Sequence, residues 1–380
     1  MRIAFMSLGT INTTFSYRPL AFGKELLKKG HEVYVIMPRF DKYSKFQEEV
    51  ITDIDGIKII RPWQIKNVPF ILGLLPYIIS SIILLHKINP DIVHICKPTP
   101  ITITGLVLKL TRKRRIVFDT DDLDTEVMRI EKNSPIKIML VEISEKLAKR
   151  FSDAIVAASQ FLQEMYASQY PYKIVAHIPN GAEFTNTRNL LPKGTGAARI
   201  VFIGNINRTS ILEPLFYALE AMNKENIKTS TVIIGDGTYL PYFKSLAEKL
   251  QLTKQVTFLG RILQDEFHKY IQPGDIGYCY MPDGITQKAC SNMKVFQYMQ
   301  FGSVPLVSNV GDLPQYTFQG KAGYIAEHSN MQSLIATMKE ALANEEERNK
   351  KFIYAINHAP ITYAWSVLAE KVEAIYEKMV

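Results

Sequence analysis

RIVFIGNINR, residues 199–208, is the stretch on which the fold turns. Arg199–Ile203 is a short apolar run that ends at a glycine, as strands of a buried parallel sheet do. Gly204 lets the backbone beyond that strand approach an anionic ligand closely. Arg208, in the same loop, offers the paired donors that suit a phosphate. The rhythm recurs on both sides. Downstream lie Thr231–Ile234, Val256–Leu259, Ile276–Tyr280, Val304–Val307 and Gly323–Ile325. Upstream lie Ile3–Ser7, Val33–Met37, Ile57–Arg61, Asp91–Ile95, Ile116–Asp119 and Ala154–Ala157. Amphipathic stretches separate these runs, and Gly30 suits the left-handed C-terminal end of the first. Strands alternating with helices predict parallel sheets covered on both faces, an α/β class.

The chain has 380 residues, enough for two domains. A break containing Leu-Pro-Lys-Gly-Thr-Gly lies within 182–198. Hydrophobic residues make up 47% and charged residues 22%, which excludes a disordered chain. Three cysteines without ligand spacing argue against a disulfide scaffold or a zinc site and for a reducing compartment. The start MRIAFMSLG reads as a strand, not a signal peptide.

The net charge of +8 is uneven, +9 over residues 1–200 and −1 over 201–380. Its densest part is Lys109–Arg115, which suits an anionic surface or a solvated helix end. No nucleic-acid motif accompanies it, so nucleic acid is not an expected partner. Val68–Leu85 is an uncharged run of 18 residues interrupted by Pro69, Gly73 and Pro76. It reads as a buried domain helix, with membrane-surface docking as the alternative and a crossing disfavoured.

Four stretches taken together resemble glycosyltransferase family 4, the retaining sugar transferases of GT-B fold. They are RPLAFGKELLKKGHEVYVI (18–36), PDIVHI (90–95), IPNGAEF (178–184), and a C-terminal set of RIVFIGNINR, IIGDG (233–237), VTFLGRI (256–262) and SNMKVFQYMQFGSVPLVSNVGDLPQ (291–315). The resemblance implies two Rossmann-like domains whose parallel sheets face a central cleft. The expected divisions are 1–183 for an N-terminal acceptor domain, 184–198 for a linker, and 199–360 for a C-terminal nucleotide-sugar domain. Residues 361–380 form a helix returning to the first domain, with Trp365, Val372, Ile375 and Tyr376 on one side.

A sugar nucleotide carries two phosphates whose charge grows as the glycosidic bond breaks. Backbone N–H groups, a helix start and cations must therefore meet the leaving diphosphate. Gly204, Asn205, Arg208 and Gly235 fit that need from the strand ends, and Asn292, Met293 and Lys294 from the helix start that follows Ser291. The resemblance adds Gln297 near the ribose and Gly260, Arg261 and Ile262 near the base. It sets Asp121, Arg208 and Lys294 as catalytic, and Gly9, Arg18, His94, Asp119 and Asp122 as acceptor contacts. The carboxylates of the 119–124 run are expected to crowd, raising the pKa of one of them. No metal or other cofactor is expected.

Three departures from the family pattern stand out, at five positions. Ala289 and Gln297 stand where two glutamates are usual, Asn205 and Ser210 where an arginine and a lysine are usual, and Asp121 where a histidine is common. The expected activity is transfer of a hexose from a nucleotide sugar to a hydroxyl, with retention, onto a lipid-linked or envelope polysaccharide precursor. The expected place is the cytoplasm, with the basic first half against an anionic membrane. A non-catalytic homologue that serves as a binding or scaffold subunit, and a nucleotide-sugar 2-epimerase, are the alternatives.

Overall fold

Apolar runs that have no solvent-facing side must pair with neighbours on both edges and receive helices on both faces. The computed structural model describes residues 1–8, 14–38, 46–47, 50–65, 70–184, 198–207 and 212–380. They form two compact units, Met1–Pro179 with Trp365–Val380, and Asn180–Ala364. The divisions fall a few residues from positions 183 and 360. Asn180 bonds within the second unit and Ala182 bridges to Ala364, so the chain enters and leaves that unit side by side.

The strands of the first unit are β1 (Arg2–Met6), β2 (Glu32–Ile36), β3 (Phe46–Gln47), β4 (Val50–Ile54), β5 (Ile57–Arg61), β6 (Gln64–Ile65), β7 (Ile92–Cys96), β8 (Arg115–Thr120), β9 (Ala154–Ala157) and β10 (Ile174–His177). Eight make one sheet in the order β10-β9-β8-β7-β1-β2-β5-β4, and β3 pairs with β6. Within the eight-stranded sheet only β4 runs antiparallel to its neighbour. Its hairpin turns at Asp55 and Gly56, both at positive φ, and the Gly56 N–H donates to Asp53 at 2.8 Å. An Asp-Gly pair is the residue choice that such a two-residue turn requires.

One face of this sheet, with Ile3, Phe5, Val35 and Ile59, packs on Phe22 and Leu26 and on the final helix Trp365–Glu377. That helix contributes Trp365, Leu368, Val372, Ile375 and Tyr376, an i, i+3, i+4 stripe. The Trp365 and Phe22 rings meet edge to face at 5.2 Å. The other face, with Ala4, Met6, Val93 and Ile95, receives Leu84, Leu85 and Ile88 from the helix Phe70–Ile88. This helix covers most of the uncharged run 68–85. No described helix is long and apolar enough to cross a membrane. The basic run 109–115 is partly paired: Asp153 meets Lys109 and also lies 3.6 Å from Arg115, and Asp91 lies 3.7 Å from Arg114.

The second unit is one parallel sheet of β11 (Ile200–Ile203), β12 (Thr231–Ile234), β13 (Val256–Gly260), β14 (Ile276–Cys279), β15 (Val304–Ser308) and β16 (Tyr324–Ala326). Its order is β13-β12-β11-β14-β15-β16. The chain winds outward from β11 to one side, then returns and winds to the other. Open sheets of this kind bind ligands past the carboxyl ends of the strands where the order reverses, here between β11 and β14.

Candidate functional site

At that reversal β11 and β14 pair only through Ile200 and Val201. Beyond them the Tyr298 hydroxyl replaces the ladder, accepting the Ile203 N–H at 3.1 Å and donating to the Tyr278 carbonyl at 2.9 Å. Gly277 makes room for the ring, since a Cβ there would lie 2.2 Å from it. Tyr298 is thus a wedge between two strands.

The turns after β11 and β12 press backbone on backbone. A Cβ on Gly235 would stand 1.9 Å from the Gly204 carbonyl oxygen, so the turn after β12 admits no side chain there, and Gly204 itself sits at a positive φ that favours glycine. The Gly204 N–H is spent on the Ile234 carbonyl at 3.0 Å, and the Gly235 N–H on that of Gly260 at 2.8 Å. Gly204 therefore serves by close packing and by clearing space above the strand. Into that space reaches Lys294, from the first turn of the helix Met293–Gln300. Its Nζ lies 3.4 Å from where a Gly204 Cβ would be and 4.6 Å above the Phe202 ring. A lysine at a helix start opposes the helix dipole; held over a glycine turn, it faces the space an anion would fill. Beside it Asn292, 5% exposed, opens the helix without capping it, and its Nδ2 is buried without a partner. Burial pushes the thiol of the nearby Cys279 up to about 11, and the Lys294 charge opposes that rise.

The loop that carries this helix start is fixed by Asn180. Its N–H donates to Ser291 Oγ and its Nδ2 to the Ser291 carbonyl, both at 2.9 Å. Tyr316 Oη lies 3.0 Å from the same Oγ. In the sequence Asn180 stands only as part of the resembling stretch IPNGAEF, and nothing local to it signals this duty. Among the other expected donor residues, Asn205 and Arg261 are exposed, Met293 and Ile262 are half-buried, and Gln297 is buried. Gly260 has positive φ and open space at its Cα. Arg208 and Ser210, like Gly9, lie outside the described residues.

In the first unit the expected acceptor contacts need correction. His94 is 0%, Asp119 2% and Arg18 5% exposed. Arg18 Nε meets the Asp119 oxygens at 3.0 and 2.8 Å, and its terminal nitrogens donate to the Pro179 and Ile178 carbonyls. His94 Nε2 meets Asp119 at 2.9 Å and Nδ1 meets the Tyr376 hydroxyl at 2.6 Å. Burial alone would raise the Asp119 carboxyl, but the Arg18 guanidinium and His94 outweigh it and hold it below the usual carboxylate range. These three side chains are engaged with one another and with Tyr376, so they tie β7 and β8 to the helix Thr14–Lys28 and to the final helix instead of facing an acceptor. His94, Cys96 and Asp119 lie close enough to hold a metal ion, yet both ring nitrogens and the carboxylate are already engaged.

Asp121 and Asp122 remain partly open at the end of β8, but neither stands alone. Lys97, at φ +64 after β7, reaches Asp121 at 2.6 Å, Asp122 at 3.3 Å and Asp124 at 3.0 Å. The crowded carboxyl is Asp124. Burial raises it to about 7, Lys97 opposing and Asp121 and Asp122 adding to the rise. The sequence signal for Lys97 was its place directly after a strand, as with Gly204.

Two parallel sheets of this kind, the second reversing its order between β11 and β14, are the architecture of the GT-B fold. The family model "Glycosyl transferases group 1" matches residues 183–358 and "Glycosyltransferase Family 4" residues 20–185. The chain belongs to this family. It is similar to spore coat protein SA of Bacillus subtilis, 23% identical over 193 residues, and there spans about half (49%) of that protein's length. It is also 20% identical over 356 residues to N-acetyl-alpha-D-glucosaminyl L-malate synthase of Bacillus anthracis, covering 87% of each chain. Among solved structures it resembles sucrose-phosphate synthase from Thermosynechococcus elongatus at TM-score 0.74, with 14% identity over 100% of this chain and 99% of that one. It resembles Anabaena Alr3699/HepE in complex with UDP-glucose at TM-score 0.69, with 14% identity and complete coverage of both.

Proposed function

We propose that this chain moves a hexose from a nucleoside diphosphate sugar to an acceptor hydroxyl, with retention of the anomeric configuration and without a metal ion. The observation that carries this reading is Lys294 Nζ poised over Gly204 beside a helix start. A cation and a helix N-terminus stabilise charge that develops on a departing diphosphate more than charge already present, which accelerates bond cleavage. Asn292 Nδ2, buried and unpartnered, supplies a donor to the same group. Arg208, five positions beyond β11 in the sequence, is the second cation this reading calls for. The Anabaena complex makes UDP the first nucleotide to test. On the acceptor side Asp121 and Asp122, oriented by Lys97, are the carboxylates that meet a hydroxyl, and the basic first half favours a lipid-linked or envelope polysaccharide precursor.

The test is incubation with UDP-hexoses in the presence of EDTA, following UDP release and the anomer of the sugar product by NMR. Retained product with undiminished rate supports the reading, and Lys294→Ala is expected to lower kcat/KM by about 10²-fold or more. An inverted product would overturn it. Epimerised sugar nucleotide without a transferred sugar would establish the 2-epimerase alternative. UDP binding without release would establish the non-catalytic one, which Ala289, fully buried and without a carboxylate, favours.

A further inference from the structure

One layer of the first unit carries apolar side chains that no described part of the unit covers. The helix Phe70–Ile88, the turn Thr102–Leu106 with the helix Val107–Arg112, and the helix Pro135–Phe151 lie side by side on the same face of the sheet. On the first helix Leu75, Ile79 and Ile83 recur every four residues, each about half exposed. At 3.6 residues per turn they stand opposite Tyr77, Ser81, Leu84 and Leu85, which face the sheet. The third helix repeats the arrangement, with Ile136, Met139 and Ile143 outward and Val141, Ser144 and Ala148 inward. Leu110, on the helix between them, is 78% exposed.

The charge around these stripes is in positive excess, even with Lys109 and Arg115 beside Asp153 and Arg114 beside Asp91. Residues 70–88, 107–115 and 135–151 together hold ten lysines and arginines against two acids, Glu142 and Glu145. Both acids are paired along their own helix, with Lys146 and Lys149. Exposed Lys87, Arg112, Lys113 and Arg150 fringe the apolar stripes. A protein partner for an apolar face needs no such excess. An interface of acyl chains beneath anionic headgroups needs both features, apolar side chains to enter and cations around them.

We infer that this three-helix layer lies on the surface of an anionic phospholipid bilayer, with Leu75, Ile79, Ile83, Leu110, Met139 and Ile143 entering the headgroup boundary. It rests on the proposed function only in its purpose, which is to bring the transferase to a lipid-linked acceptor. The docking itself requires no turnover.

The test is sedimentation of the full chain with vesicles of phosphatidylglycerol and phosphatidylcholine in equal parts, against phosphatidylcholine alone. Binding to the mixed vesicles is expected to exceed binding to neutral ones by about ten-fold and to weaken as salt is raised. The triple variant Ile79→Ser, Ile83→Ser, Ile143→Ser should lose about ten-fold in binding, and Arg112→Gln with Lys113→Gln several-fold. These side chains are exposed, so an unchanged melting temperature checks that the variants fold. Equal sedimentation of the serine variant and the parent, or no sedimentation of the parent, would overturn the inference. A dimer that the serine variant abolishes, without vesicle binding by the parent, would overturn it in favour of a second copy. UDP release by the same variants on a soluble acceptor tests the proposed function separately and is expected to be unchanged.

Discussion

Replacing Arg18 by methionine tests whether the buried cluster of the first unit is structural. Arg18 donates to both oxygens of Asp119 and to the carbonyls of Ile178 and Pro179, all at 2.8–3.0 Å. The variant keeps the apolar stem but leaves the 2%-exposed carboxylate to His94 and strips two carbonyls of their donors. Breaking one side of a buried ion pair costs about 3–5 kcal/mol, because the remaining charge is stranded. Both tryptophans, Trp63 and Trp365, belong to the first unit, so intrinsic fluorescence during urea unfolding follows that unit alone. The expected result is a loss of about 3–5 kcal/mol in Arg18→Met. The double variant Arg18→Met, Asp119→Leu should recover at least half, since both charges leave together. A loss below about 1 kcal/mol, accompanied by lost activity, would refute the reasoning and return Arg18 to the acceptor.

Three further outcomes are expected. Tyr298→Phe orphans the Ile203 N–H and the Tyr278 carbonyl, and should lower stability by about 2–4 kcal/mol in calorimetry of the second transition. Asn180→Ala removes the donor to the Ser291 carbonyl, costing about 1–2 kcal/mol and weakening nucleotide binding several-fold by calorimetric titration. Asp124, raised to about 7 in the folded chain, keeps its proton between about pH 4 and 7 where the unfolded chain has released it. Its contribution to stability therefore falls as pH rises through that window. Asp124→Asn removes the fall, so its melting temperature should gain on the parent from pH 5 to pH 7.5; a constant difference would contradict the assignment.

The parts of this structure visible in the sequence are those set by neighbours along the chain. Strands such as Ile200–Ile203 and Ile92–Cys96 announce themselves as apolar runs, and the stripe from Trp365 to Tyr376 as a helix period. The antiparallel edge of β4 against β5 was not expected: Asp55-Gly56 is a turn pair, but a single pair stands against the strand–helix alternation of the rest of the chain. What local pattern could not show is pairing over distance. Arg18 and Asp119 lie 101 positions apart, and His94 and Tyr376 lie 282 apart. A carboxylate at a strand end looks alike in sequence whether it faces a ligand or a guanidinium. Lys97 escaped notice for the same reason, as did the buried bridge from Asn180 to Ser291 across 111 positions.

The central claim is that the turn at Gly204 and the helix start at Asn292–Lys294 hold a nucleoside diphosphate. Titration of the parent chain and of Lys294→Ala with UDP, GDP and ADP, without metal and followed by melting temperature and heat of binding, tests it most directly. At about 100 times the dissociation constant, a bound nucleotide stabilises the fold by roughly 2.7 kcal/mol. The account predicts a clear shift with one nucleotide, UDP first among them, and its loss or a reduction of at least ten-fold in affinity in Lys294→Ala. No shift with any of the three, or an unchanged shift in the variant, would contradict it.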